Sequence, residues 1–333
     1  MNEEFVFDLI SLADDEFILE ASRKKRSIRL GKRVVSLFAA AVVCAVMFAC
    51  AAAAVLVTNI VHKGSLTDFY ESDAVSRLES RGYTDGRTAE TKHARLTVDS
   101  VTADKYRCMA VYTIEALDDE GDEQLKDMFG AEGTKPLGIW LYYADTNERI
   151  EDISTITGYR TYGEDQSRSV TQYVEIPYDH DTYVYEDGET GGKRKTIHID
   201  RNRPLKIRFE QVTADSQNST NVLDGLETEL PVVESLKGIE LYCNYNGSTA
   251  YISELGVTVT GLPDPDDPRF DNNWECKIVW KDGTWTEAYE IGRNSLGNYT
   301  VDGVNVYYMG LRNFIDLDKV DSAALFGIVF RRR

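Results

Sequence analysis

"LTVDSVTADKYRCMAVYTIEA", Leu96–Ala116, is the stretch that decides the fold class. Leu96 and Val98 alternate with Thr97 and Asp99, and further on Tyr106, Cys108, Ala110, Tyr112 and Ile114 fall on one face. Successive side chains of a strand point to opposite faces, so a period of two marks a half-buried strand. The β-branched and aromatic theme continues in "LGIWLYY" (137–143), "SVTQYVEIP" (169–177) and "PLKIRFEQV" (204–212). Acidic, turn-rich stretches such as "DDEGDE" (118–123) and "YEDGETGGK" (185–193) separate these runs. Strands divided by loops, with no convincing helices between them, argue for a β-sandwich rather than alternating strand–helix units.

A second group of strands begins at Leu236. "GIELYCNYNG" (238–247) and "STAYISELGVTVTG" (248–261) read as a hairpin about Asn246-Gly247, a pair that readily takes positive φ. "ECKIVW" and "WTEAYEIG" flank Lys281-Asp282-Gly283-Thr284 as another hairpin. "VNVYYMG" and "AALFGIVF" read as closing strands, and "IDLDKVDS" as a turn or a single helical turn. Residues 213–235 are polar and without period, which makes them a linker between a β domain at 94–212 and a second at 236–333. Residues 62–93 read as a polar stalk, within which "DAVSRLESRG" has the pattern of a short helix ending at Gly82.

Working outward to the N-terminus, Val34–Val61 is a run of 28 residues without a charge. A bilayer-spanning helix needs about 20 apolar residues, so the run predicts a transmembrane helix at 34–61. Arg23, Lys24, Lys25, Arg26, Arg29, Lys32 and Arg33 precede it, whereas only His62 and Lys63 follow closely. Positive flanks stay in the cytoplasm, so the basic cluster acts as a topology anchor and the β domains face outward. The cluster also suits contact with anionic membrane lipid. A cleaved signal peptide with Ala49-Cys50-Ala51 at its cut site fits less well, because 33 residues precede the apolar run and the run continues to Val61.

Residues 1–33 carry seven basic and seven acidic side chains. The part beyond the span therefore holds 30 Lys/Arg against 49 Asp/Glu, the whole net charge of −19. Such a surface disfavours direct nucleic-acid binding. In the first 20 residues Phe5, Val6, Leu9, Ile10, Leu12, Ala13 and Phe17 fall on one broad helical face, with Asp8, Ser11, Asp14 and Asp15 opposite. A lone helix this short is marginal in water, so its apolar face needs a partner. Its acidic polar face is unlike that of a lipid-binding helix, which ranks a cytoplasmic protein first, a disordered or self-associating tail second and the membrane surface last. Phe5, Leu9, Leu12 and Phe17 are the expected contacts.

Chemistry-bearing motifs are sparse. The four histidines form no HExxH and lie near no GxSxG or phosphate-binding glycine loop, so no catalytic residue is assigned. His180 in "PYDHDTY" reads as an exposed loop histidine. Asp264, Asp266, Asp267 and Asp271 of one loop, and Asp118, Asp119, Glu120 and Asp122 of another, offer the oxygen ligands that calcium takes, but both stretches read as solvated loops. Asn218, Asn246 and Asn298 each head an N-x-[ST] triplet and read as loop asparagines. Cys108, Cys243 and Cys276 are odd in number and define no disulfide framework, and no cofactor or metal is expected.

The order of features, from the acidic helix "LISLADDEFILEA" through the basic cluster and one span to paired β domains, resembles membrane-anchored anti-sigma factors of Gram-positive bacteria. "AYISELGVTVTG", "KDGT" and "NFIDLDKVDSAALFGIVF" resemble the C-terminal signature of their extracytoplasmic domains of unknown function. "LTVDSVTADKYRCMAVYTIEA" resembles the opening of the companion immunoglobulin-like domain. The resemblance implies a signalling regulator whose inner helix binds a cytoplasmic sigma factor and whose outer domains sense an unknown ligand. The alternative from another class is a passive cell-surface binding or adhesion module.

Overall fold

The computed structural model describes residues 66–129, 137–150, 156–159, 168–184, 192–211, 223, 225–244, 247–262, 276–287, 292, 297–325 and 327–333. The inner helix, the basic cluster and the 34–61 run lie outside the described residues. Among those described, no helix is long and apolar enough to cross a membrane. All of them belong to one compact unit, Ile60–Arg333, and it is mainly β.

Two sheets build the first β region. One has the order β1 (Thr84–Glu90), β2 (Ala94–Ala103), β3 (Arg107–Ala116), β7 (Ser169–Pro177), β6 (Ile156–Tyr159). The other runs β11 (Glu227–Leu230), β10 (Leu205–Gln211), β4 (Leu137–Tyr143), β5 (Arg149–Ile150). One core draws on both: Leu96, Ala110, Tyr112, Ile114 and Val174 from the first sheet meet Leu141, Ile207 and Phe209 from the second. Of the even positions read from the sequence, Cys108, Ala110, Tyr112 and Ile114 of β3 are in this core, whereas Tyr106, just ahead of β3, is not. In β2 the parity changes, since Leu96 and Val98 are joined there by Val101 and Ala103. A bulge between Val98 and Ser100 shifts the register by one residue, and a one-residue slip exchanges the faces.

The first odd positions of β3, Arg107, Met109 and Val111, are buried as well, whereas Thr113 is half-buried and Glu115 exposed. Met109 and Val111, with Tyr173 of β7, pack on the other face of the same sheet against α1 (Ser72–Ser80). Ala74, Val75 and Leu78 are the buried stripe of α1, and the helix ends where Gly82 takes φ +72 and its N–H reaches the Glu79 carbonyl at 3.1 Å. The segment read as a stalk therefore contributes a helix and the edge strand β1 to the folded body.

A second correction concerns "DDEGDE", which is no loop. Asp118 accepts the Gly121 N–H at 2.9 Å and so caps α2 (Asp119–Phe129), whose Leu125 and Phe129 close the first core. Gly121 sits so close to the His93 carbonyl that a Cβ would overlap it. His180 is likewise not exposed. It is fully buried on β8 (Asp179–Val184), which pairs with β9 (Lys193–His198) as a hairpin.

The second β region is a nine-strand ladder, β16 (Trp285–Glu287), β15 (Cys276–Trp280), β19 (Val320–Leu325), β20 (Ile328–Arg331), β12 (Gly238–Tyr242), β13 (Thr249–Ser253), β14 (Gly256–Leu262), β18 (Val304–Gly310), β17 (Gly297–Val301). Its middle is joined by one pair, Tyr242 with Arg331, and residues from both sides of that joint share a core that includes Ile252, Val257, Ile278, Ala323 and Phe330. The β12–β13 and β15–β16 pairings match the expected hairpins, with Gly247 and Gly283 at positive φ. "IDLDKVDS" holds a single 3-10 turn at Leu317–Lys319, capped by the Asp316 side chain. Two runs read as single strands are hairpins instead: "STAYISELGVTVTG" turns at Glu254-Leu255, and "AALFGIVF" turns where Gly327 has φ +74.

Candidate functional site: a buried ionic junction between the two β regions

The β2–β3 turn is shaped by Asp104, whose Oδ1 accepts the backbone N–H groups of Tyr106 at 2.8 Å and Arg107 at 3.2 Å. That turn delivers Arg107 to the face of the sheet that packs on the second β region. There its Nη2 donates to the Met309 carbonyl of β18 at 3.2 Å, and its guanidinium lies 4.6 Å from the Tyr308 ring centroid. Asp104 Oδ2 and Glu175 Oε2 each stand 4.0 Å from the guanidinium, and Ser253 of β13 donates to Asp104 Oδ2 at 3.2 Å. Arg107 and Asp104 are each 5% exposed and Glu175 is 4% exposed. No small molecule reaches them unless the junction opens.

The electrostatics follow from that burial. Desolvation works against the Arg107 charge, but the Glu175 and Asp104 carboxylates outweigh it and raise the guanidinium pKa. The same burial pushes the neighbouring Cys108 thiol up to about 12, which leaves it a packing group rather than a nucleophile. Gly256 leaves room for this arrangement, because a Cβ at that position would overlap the Arg107 guanidinium where it now lies. A buried charge cluster is weak evidence for stability, since an apolar replacement is often as stable, but removing one partner alone leaves an uncompensated buried charge.

Other contacts fix the same arrangement. Arg81, just past α1, makes a bidentate pair with Glu254 of the β13–β14 turn at 2.8 and 2.9 Å. Lys105 pairs with Glu240, and Tyr106 meets Tyr251 edge to face at 5.4 Å. At the far end Asp181 of β8 accepts the backbone N–H groups of Asp302 at 2.9 Å and Gly303 at 2.8 Å, gripping the β17–β18 turn. Burial alone would raise the Asp181 pKa, but these donors, with the Thr196 and Thr300 hydroxyls, lower it. An apolar layer of Phe69, Leu78, Met109, Leu236, Leu255 and Phe314 fills the space between.

None of the charged residues of the junction was singled out in the sequence, although Tyr106, Cys108 and Leu236 were read there as strand residues. The signal lay in two charges inside apolar strands, Arg107 in "KYRCMAVYTIEA" and Glu175 in "SVTQYVEIP". Phe5, Leu9, Leu12 and Phe17, the anchor residues Arg23, Lys24, Lys25, Arg26, Lys32 and Arg33, and the Asp264–Asp271 loop all lie outside the described residues. Among the described residues no group of three or more His, Cys, Asp or Glu is placed to hold a metal ion, and Cys108, Cys243 and Cys276 are free thiols.

No family model matches the chain, and no curated protein matches it. Among solved structures, the crystal structure of the conserved domain protein from Bacillus anthracis is 12% identical, covering 77% of this chain and 78% of that one with a TM-score of 0.39. The likeness is too loose to carry fold detail or function.

Proposed function

We propose that the chain is a non-catalytic, single-pass membrane signalling protein of the anti-sigma type. Its N-terminus is cytoplasmic and its two β-sandwich-like regions, the first immunoglobulin-like, lie outside the cell as a sensing body. The observation that supports this reading is the uncharged run Val34–Val61 with seven basic residues just ahead of it. On this reading the buried junction couples the two β regions, so that a load or ligand on one is felt by the other. The inner helix then carries the output through Phe5, Leu9, Leu12 and Phe17.

Deleting residues 2–20 tests the output. On this reading the deletion raises transcription by a partner sigma factor while membrane insertion persists, and crosslinking from positions 5–17 captures that partner. Unchanged transcription, with crosslinks only to lipid or to the protein itself, would leave the passive surface module as the better account.

A further inference from the structure

The ion pairs that join the two β regions are of two kinds. Arg81 meets Glu254 directly at 2.8 and 2.9 Å, and Lys105 likewise meets Glu240 directly. The buried Arg107 meets neither of its carboxylates so closely. Its Nε stands 4.0 Å from Asp104 Oδ2, and its Nη1 stands 4.0 Å from Glu175 Oε2. A charge-assisted N–H···O bond is about 2.7–2.9 Å long, so both gaps are too wide for one. Polar groups facing each other across more than about 3.5 Å are those between which a water fits.

The two carboxylates differ in what else holds them. Asp104 accepts the backbone N–H groups of Tyr106 and Arg107 and the Ser253 hydroxyl. Glu175 is 4% exposed, and its only polar contact among the described residues is Arg107 at 4.0 Å. Arg107 Nη1 is buried and has no acceptor. A donor and an acceptor that both need a partner therefore face each other.

Arg107 is not placed to close that gap itself. Its Nη2 is tied to the Met309 carbonyl at 3.2 Å, and its guanidinium rests 4.6 Å from the centre of the Tyr308 ring. Moving Nη1 onto Glu175 would pull against both contacts. A buried charged donor without an acceptor is costly, and folded interiors meet such groups with protein atoms or ordered water. An internal water needs two to four polar partners, and here one group donates to it while the other accepts from it. Two hydrogen bonds of about 2.8–2.9 Å meeting at a bent angle set their outer atoms about 4–5 Å apart. The Nη1–Oε2 separation lies at the lower end of that span.

From this geometry we propose that the junction encloses a structural water that accepts from Arg107 Nη1 and donates to Glu175 Oε2. The Arg107–Glu175 pair is then separated by water, whereas Arg81–Glu254 and Lys105–Glu240 are in direct contact. The site stands on the junction alone and does not depend on the membrane regulator reading.

The test is a crystal structure of the full chain in a neutral detergent, at a resolution that places ordered waters. A peak within about 3.2 Å of both Arg107 Nη1 and Glu175 Oε2 is expected. Glu175→Gln keeps an acceptor oxygen in a side chain of the same shape and should keep the peak. Glu175→Leu removes the acceptor and should lose it. Direct contact between Arg107 and Glu175 at about 3 Å would overturn the proposal. So would side chains placed as described with no peak between them, or a peak unchanged in Glu175→Leu. If Glu175→Leu does not fold, the native chain and Glu175→Gln decide.

Discussion

Arg107 of β3 donates to the main-chain carbonyl of Met309 on β18, 3.2 Å away across the boundary between the two β regions. The bond joins residues 202 positions apart, and the surrounding groups make it costly to break. Removing the guanidinium leaves the Asp104 and Glu175 carboxylates buried without their counter-charge. Arg107→Ala should therefore destabilise residues 62–333 by about 3–5 kcal/mol. Urea unfolding checks the value. A loss below about 1 kcal/mol would mean that water or rearrangement replaces the charge, and that the junction does not hold the regions together.

Asp181 gives the junction a pH dependence of defined sign. Its carboxyl pKa is lowered in the folded chain, so its contribution is fully present above the ordinary value of 3.8 and is lost as pH falls through the depressed folded value. Melting temperatures measured from pH 6 down to about pH 2 should fall more steeply in the native chain than in Asp181→Asn. Parallel curves would show that the grip on Asp302 and Gly303 owes nothing to the charge.

Truncation separates the reading of residues 62–93 as a stalk from what the structure shows. Leu66, Phe69, Tyr70, Ala74, Val75 and Leu78 are all buried in the apolar layer between the β regions. Each large apolar side chain so buried is worth about 1.5–3 kcal/mol, against a total stability of about 5–15 kcal/mol for a typical domain. A fragment of residues 62–333 should be soluble, with a β-dominated circular dichroism spectrum, and a fragment of residues 94–333 should aggregate or melt well below it. Equal melting temperatures would restore the stalk.

These corrections have a common physical origin. The period of two in Tyr106, Cys108, Ala110, Tyr112 and Ile114 made β3 legible, because one face meets a core in any half-buried sheet. Alternation does not say that the other face is buried too, and so Met109, Val111 and Arg107 gave no sign of the layer beyond them. The Asp99 bulge and the Glu254-Leu255 turn change face or direction within a run that keeps its composition. α2 was hidden because its first turn is acidic and holds a glycine, a mixture shared by loops. Of the candidate site, the only trace in the sequence is a pair of isolated charges in apolar runs, Arg107 and Glu175, and neither was singled out; the partners Met309 for Arg107 and Ser253 for Asp104, 202 and 149 residues away, come from tertiary packing alone.

Thiol labelling in intact cells tests the proposal that the chain crosses a membrane once with the β body outside. Cys108 and Cys276 are buried, so replacing Cys243 by serine removes the accessible described thiol. In that background, single cysteines at Ser22 and Ser65 bracket the span. An impermeant maleimide should label Ser65→Cys in intact cells and should reach Ser22→Cys only after lysis. Labelling of Ser22→Cys with protection of Ser65→Cys, or release of the β body into the soluble fraction, would contradict the account.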